Sequence, residues 1–259
     1  MMKKAFLILM SMLLLLFPIG TIGCDFSVTG SGNLQTRDFD LGKFNSIDVG
    51  DFFVTEISQG DANKVSITAD ENIFNYLSID EDEGVLRLSV EGCRTFRSVT
   101  LKAKITMPHI EQLILSSGAT AILGGFNDKR DLELKLSGFS SLNIKEMATN
   151  KLSISISNSK IDGEIASSDV VLNVSNFSNI RLHGSARNIS ATASENSHLE
   201  LSSFPLNNAN ITLRNFSTAS LSLNGRLDAQ VRQNSVLVYS GSPIMDNIDI
   251  DGLSKILHE

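Results

Sequence analysis

Between residues 113 and 240 apolar and polar positions alternate in short runs, and the runs themselves recur. Leu132, Leu134 and Leu136 form one run, Leu152, Ile154 and Ile156 the next, and Leu221 and Leu223 a later one. Alternation with period two places one set of side chains on a single face of a strand. Each run leads to a small or polar pair, a Ser or Thr, one free residue, and then Ile, Leu or Ala. The instances are Thr120-Ala121-Ile122, Ser140-Ser141-Leu142, Ser159-Lys160-Ile161, Ser178-Asn179-Ile180, Ser197-His198-Leu199, Ser217-Thr218-Ala219 and Ser235-Val236-Leu237. These anchors follow one another at 20, 19, 19, 19, 20 and 18 residues.

A period of about 19 residues is too short for a helical-pair repeat or a propeller blade. It fits one coil of a single-stranded parallel β-helix, with short strands joined by tight corners. The spacing drifts, whereas a left-handed hexapeptide helix wants a fixed multiple of six; the right-handed form is favoured. The fold class is therefore all-β, with Leu134, Ile154, Val174 and Leu213 expected to point inward. The anchor hydroxyls are expected to bond the backbone of a neighbouring coil. An aligned row of hydroxyls serving as a binding surface is the competing role.

Residues 34–108 alternate without the period. Phe53, Thr55 and Ile57 form one face, followed by Val65, Ile67 and Ala69, then Leu86, Leu88 and Val90, then Leu101, Ala103, Ile105 and Met107. Gln59-Gly60-Asp61 and Glu83-Gly84 read as turns. Asn72 is placed to cap a short helix over Ile73, Phe74 and Leu77. A solenoid needs its open edge covered, so this segment is expected to be an N-terminal β-rich cap of the same domain. The coils are expected over 109–247 and a C-terminal tail over 248–259.

The first 23 residues read as a lipoprotein signal peptide. Lys3 and Lys4 precede a run over residues 5–22 that is apolar apart from Ser11 and Thr21, and the run ends at Gly23-Cys24. A small residue before Cys is the cleavage point of a lipoprotein peptidase; Thr21 stands where a Leu is usual. Cys24 is thus the expected lipidation site, with residues 24–33 as its tether. Acylation of Cys24 leaves Cys93 without a disulfide partner. A multiply acylated terminus gives firm membrane attachment.

Without Lys3 and Lys4 the net charge falls from −7 to −9, which repels phosphate backbones. Nucleic acid is not an expected partner; the membrane is, through the anchor. A protein or glycan ligand stays open.

At four places the chain resembles the auto-transporter adhesin "head GIN" domain family found as lipoproteins of Bacteroides-type bacteria. Gly30-Ser31-Gly32-Asn33 is similar to its opening G-S-G-N. Phe44-Asn45-Ser46-Ile47-Asp48-Val49 with residues 54–60 resembles its F-x-x-I-x-V and strand-Q-G. Pro108 followed by residues 113–119 resembles its first S-G-A-S coil, and Tyr239-Ser240-Gly241-Ser242-Pro243 its closing Y-x-G-x-P. Ser157-Asn158, Asn176-Phe177 and Asn215-Phe216 depart from the family's Ser-Gly-Ala. The resemblance implies a β-helix and membrane attachment, and carries over no catalytic residue or ligand.

The residues supply no catalytic set either, and no cofactor or metal is expected. His109, His183, His198 and His258 stand in unrelated contexts, and no G-x-S-x-G elbow occurs. Arg94 and Arg97 beside Cys93 could lower its thiol pKa, but no base accompanies them. Asp80-Glu81-Asp82-Glu83 reads as a solvated turn. Glu133, Asp162, Glu164, Asp169, Glu195, Glu200 and Asp228 are scattered over the coils without stacked pairs. Asn247-Ile248-Asp249-Ile250-Asp251-Gly252 resembles the start of a calcium loop, but its twelfth position is His258. Sugar stacking favours Trp or Tyr; the chain has no Trp and two Tyr. Phe139, Phe177 and Phe216, each just before an anchor, are expected as stacked core aromatics. The favoured function is a non-enzymatic cell-envelope lipoprotein, in the outer membrane, that displays its β-helix for adhesion or protein interaction. A β-helix polysaccharide lyase or hydrolase, and a periplasmic structural or stress-response component, are the alternatives.

Overall fold

The computed structural model describes residues 27–92 and 94–259. Cys24, the expected signal peptide over residues 1–23 and Cys93 lie outside the described residues. The architecture is a parallel β-solenoid of about eight turns with coils about 19 residues apart, 66% strand and 3% helix.

Each turn, or rung, contributes two main strands that pair in parallel with the rungs before and after. The first rung of the repeat is β10 (Gln112–Leu115) and β11 (Thr120–Gly124). It stacks on β12 (Leu132–Leu136) and the first part of β13 (Ser141–Ser157). The stack continues to β18 (Arg226–Val231) and β19 (Val236–Ser240). Period-two alternation sends every second side chain inward, so like positions pile into columns. Leu113, Leu134, Ile154, Leu172, Ala191, Ile211 and Ala229 are such a column, each in register with the next. All seven are buried, as are Val174 and Leu213. Between the two strands a third side carries the core aromatics Phe126 and Phe204.

The anchors are offset in the first rung. Thr120 pairs with Ser141, not Ser140, so buried Ala119 holds the place of Ser140. In the rungs from 140 onward the anchor is a buried Ser: 140, 159, 178, 197, 217, 235 and also 254. The Ser140 amide donates to Ser159 Oγ (3.0 Å), Ser217 to Ser235 Oγ (3.2 Å) and Ser235 to Ser254 Oγ (3.3 Å). Ser140 Oγ in turn donates to the Ser137 carbonyl (2.7 Å) and Ser197 Oγ to that of Ser194 (2.6 Å). The hydroxyls thus satisfy buried backbone groups. Their burial takes the anchor hydroxyls themselves off the surface.

Residues 34–108 do more than cap. Strands β3 (Ser46–Val49) and β4 (Val54–Gln59) form a further rung beneath β10 and β11. Beneath that rung lie β7 (Val85–Val90) and β9 (Leu101–Met107), again parallel. The chain therefore stacks out of sequence order: after β4 it leaves the stack, returns one rung lower, then crosses back above. The excursion hides the period in this segment. The capping itself is antiparallel: β6 (Leu77–Asp82) covers β7, while β5 (Lys64–Asp70) covers β9 and carries β2 (Leu34–Phe39) on its far side. At the other end, the expected tail is also a rung. Strands β20 (Ile244–Ile250) and β21 (Lys255–His258) pair in parallel with β18 and β19.

The short helix is a 3-10 turn, Glu71–Tyr76, that follows Asp70 and has no side-chain cap. Asn72 does not cap it. Instead its amide donates to the Thr29 carbonyl and its Oδ1 accepts from the Ser31 amide.

Among the described residues one buried side-chain polar atom is left over. Thr55 is buried in the column between Ala103 and Ala121, and its Oγ1 has no hydrogen-bond partner. An unpaired buried hydroxyl costs about 1–3 kcal/mol. Thr55→Val keeps the shape and removes that cost, so denaturant unfolding should show a gain of about 1 kcal/mol. A loss of stability would mean that the hydroxyl finds a partner.

Candidate functional site

The residue just before each anchor turns the corner between the two main strands. Backbone bonds align these corners one per rung: Phe52 N–H donates to the Ser117 carbonyl, Gly118 to Gly138, Phe139 to Asn158, Asn158 to Asn176, Phe177 to Glu195, Asn196 to Asn215 and Phe216 to Gln233, all at 2.8–3.0 Å. Up the stack the corner reads Phe52, Gly118, Phe139, Asn158, Phe177, Asn196, Phe216, Asn234. From 139 to 234 Phe and Asn alternate. Every one of these residues has positive φ, between 48° and 76°.

The corner conformation fixes both residue choice and direction. Gly adopts the left-handed region freely and Asn tolerates it, whereas a bulky side chain is an outlier there. A corner residue before an inward-facing Ser points outward. Phe52, Phe139, Phe177 and Phe216 are accordingly 74%, 83%, 73% and 59% exposed. The expectation that Phe139, Phe177 and Phe216 stack in the core is therefore corrected: the core aromatics are others, Phe53, Phe126 and Phe204 among them. The signal was present in the sequence, because Gly118, Asn158, Asn196 and Asn234 share the Phe position. Those are the residue types of a left-handed, outward corner, not of a core.

The exposed rings return little to the fold. A left-handed non-glycine residue costs about 1–2 kcal/mol, and full burial of a Phe, worth about 1.5–3 kcal/mol, is forgone. Gly118 shows what the ladder demands of its neighbours. A Cβ there would lie 2.6 Å from two ring atoms of Phe52, so only glycine lets that ring lie against the next rung.

At the lower end of the ladder a cleft of about 620 Å³ opens beside Phe52. Val90, Phe96, Val99 and Leu101 supply apolar wall, and Arg94 and Asp51 stand among them. The Arg94 guanidinium rests over the Tyr76 ring, 4.6 Å from its centroid, and Asp51 accepts the Val90 amide at 2.9 Å.

The other residues with possible chemistry are dispersed or engaged. His198 bonds Thr218, and His258 stacks on Tyr239 with ring centroids 4.9 Å apart; His109 and His183 stand on other parts of the stack. Asp162 and Glu200 are two rungs apart, with Arg181 between them, 3.8 Å from the first and 2.7 Å from the second. Asp228 binds Arg226 and the Asn247 amide, which hold its carboxyl down at about 2. Asp48 is pushed up by burial, against the pull of Arg87. In the calcium-like segment, Asp249 pairs with Arg232, while Asp251 takes the Gln233 amide and the Ser254 hydroxyl. Among the described residues no group of three or more His, Cys, Asp or Glu is placed to hold a metal ion. Asp169 lies in a corner row of its own, where Asn188 Nδ2 donates to it and Asn208 Nδ2 donates to Asn188.

Residues 43–243 match the family described as "Putative auto-transporter adhesin, head GIN domain". The chain belongs to this family. Three solved structures share the fold. A putative adhesin from Parabacteroides merdae is 17% identical with a TM-score of 0.81, over 90% of this chain and 99% of that one. A putative lipid binding protein from Parabacteroides distasonis is 17% identical with a TM-score of 0.76, over 90% and 99%. A putative adhesin from Bacteroides fragilis is 18% identical with a TM-score of 0.67, over 90% and 100%. At these identities the likeness is one of fold. No curated protein matches the chain in sequence.

Two of the four segments that resemble the family make structural contacts. Residues 30–33 form a latch: the Gly32 amide donates to buried Asp70 Oδ1 at 2.7 Å, and the Thr100 amide to its Oδ2 at 2.8 Å. Gly30 is packed so close that a Cβ would stand 2.5 Å from the Ser98 carbonyl oxygen. Tyr239 of the closing motif is the residue that stacks on His258. The adhesin family points to the cell surface or envelope. Among the described residues no helix is long and apolar enough to cross a membrane.

Proposed function

We propose that the chain is a non-enzymatic envelope lipoprotein, anchored at Cys24 in the outer membrane, that adheres through the phenylalanine ladder of its solenoid. The observation that carries this reading is the set of exposed phenylalanines in left-handed corners, where glycine or asparagine serves the fold at lower cost. Strain held without burial is a mark of a functional position. Membership of an adhesin family supports the same reading. Tight coils without long loops, and Asp162 and Glu200 held by Arg181, speak for binding over polysaccharide cleavage.

Cells that display the full chain should adhere to mucin-, collagen- or cell-coated surfaces. The triple variant Phe139→Asn, Phe177→Asn, Phe216→Asn copies the intervening rungs, so the fold is kept. Adherence should fall at least about tenfold on the surface that wild type prefers, a loss of about 1.4 kcal/mol or more. Equal adherence at equal display would remove the ladder from the function. For the anchor, Cys24→Ala should abolish labelling by radioactive fatty acid and release the protein from the membrane fraction. Undiminished labelling would place the lipid elsewhere.

A further inference from the structure

We infer that the ladder is built for a neutral β-1,4-linked glycan, two sugars for every two rungs, an inference that rests on the ladder being the adhesive surface. Rungs of a parallel stack are about 4.8 Å apart, so Phe139, Phe177 and Phe216 recur at about 9.6 Å. That is close to, and slightly shorter than, one disaccharide repeat of an extended β-1,4-linked chain. The linkage turns each sugar half over relative to the last, so the same apolar C–H face returns at every second sugar. A ring at every second rung meets that face each time, its negative π surface against the C–H groups.

The rungs between fit the other sugar of the pair. Asn158 is half-buried and Asn196 and Asn234 are exposed. An amide both donates and accepts, as a sugar hydroxyl does. The row from Phe139 to Asn234 spans six rungs, the length of a hexasaccharide, and none of its six side chains carries a charge. With a net charge of −9 on the chain after residue 23, an acidic polysaccharide is repelled, which leaves a neutral one.

Peptides fit less well. An extended strand returns like-facing side chains every two residues, about 6.6–6.8 Å, and falls out of step at the second ring. A polyproline helix returns at about 9.3 Å, but its backbone offers carbonyl acceptors alone and leaves the accepting half of each Asn amide unanswered.

The test is titration of the full chain in detergent with cellohexaose and chitohexaose, and with maltohexaose and decaproline as comparisons. At least one β-1,4 hexamer should bind, at least tenfold more tightly than its own disaccharide, and maltohexaose should bind more weakly. Phe177→Asn should weaken the hexamer at least tenfold with an unchanged melting temperature, while Glu164→Gln, away from the corner, leaves it as it is. Failure of both β-1,4 hexamers, equal binding of maltohexaose, or indifference to Phe177→Asn would overturn the inference. So would decaproline binding in their place. If the hexamers fail while the triple variant still loses adherence, the glycan is wrong and the adhesive ladder stands; if adherence is also unchanged, both fall.

Discussion

Ile154→Asp should abolish the cooperative thermal transition. Ile154 is 1% exposed, with Leu134 below it and Leu172 above. A carboxylate there has neither water nor a partner, and an uncompensated buried charge costs about 3–5 kcal/mol. That is a large share of the roughly 5–15 kcal/mol that holds a domain together. Ser155→Asp is the control. Its side chain is exposed on the opposite face of the same strand, and the change should stay within about 0.5 kcal/mol. Deleting a whole rung should be milder than the single charge, because each coil touches only its neighbours. The register sets the cut: Lys151 pairs with Asp169, so removing residues 152–169 brings Val170 into the place of Leu152. Removing one residue more would turn the following strand inside out. Circular dichroism melts of all four proteins decide the matter; a normal melt for Ile154→Asp beside a collapsed 152–169 deletion would contradict a stack of independent coils.

Asp70→Ala should be the next most damaging change. The carboxylate is 2% exposed and accepts two backbone amides, from Gly32 and Thr100. Hydrogen bonds to a charged group are worth about 1.5–3 kcal/mol each, and the amides left behind lose their partner. A total near 3 kcal/mol should lower the melting temperature by roughly 6–12 °C in a domain of this size. The damage should be local at first, with protease cutting near residues 30–34 before the coils open. Asp70→Asn keeps one acceptor and turns a donor toward the other amide, so it should fall between wild type and Ala. A melting temperature within about a degree of wild type for Asp70→Ala would show that the latch contributes nothing.

The coils were legible in the sequence because a stacked sheet repeats its own demands. Leu134, Ile154, Val174 and Leu213 face inward as the alternation requires, and the anchor serines return because each corner has the same backbone groups to satisfy. Where the chain leaves that order, legibility ends. The two lower rungs, β7 with β9 and β3 with β4, are written in the chain in the reverse of their place in the stack. Nothing local in residues 34–108 states that β3 lies between β7 and β10. The last rung was missed for another reason: its outer edge is uncovered, so Ile244, Ile250, Leu253 and Leu257 are exposed and its alternation is blurred.

The ladder shows the same division at the level of single residues. Sequence alone determined the period, the inward columns, the corner positions and, through the motifs between Phe44 and Pro243, the family. It also held the alternation of Phe with Gly or Asn at one corner position. Only the tertiary structure decided that these phenylalanines face water. The reason is that hydrophobicity is a property of the residue, whereas direction is set by φ and by the inward Ser that follows. A Phe in a left-handed corner cannot reach the core that its composition suggests, and it is left on the surface in step with the rungs.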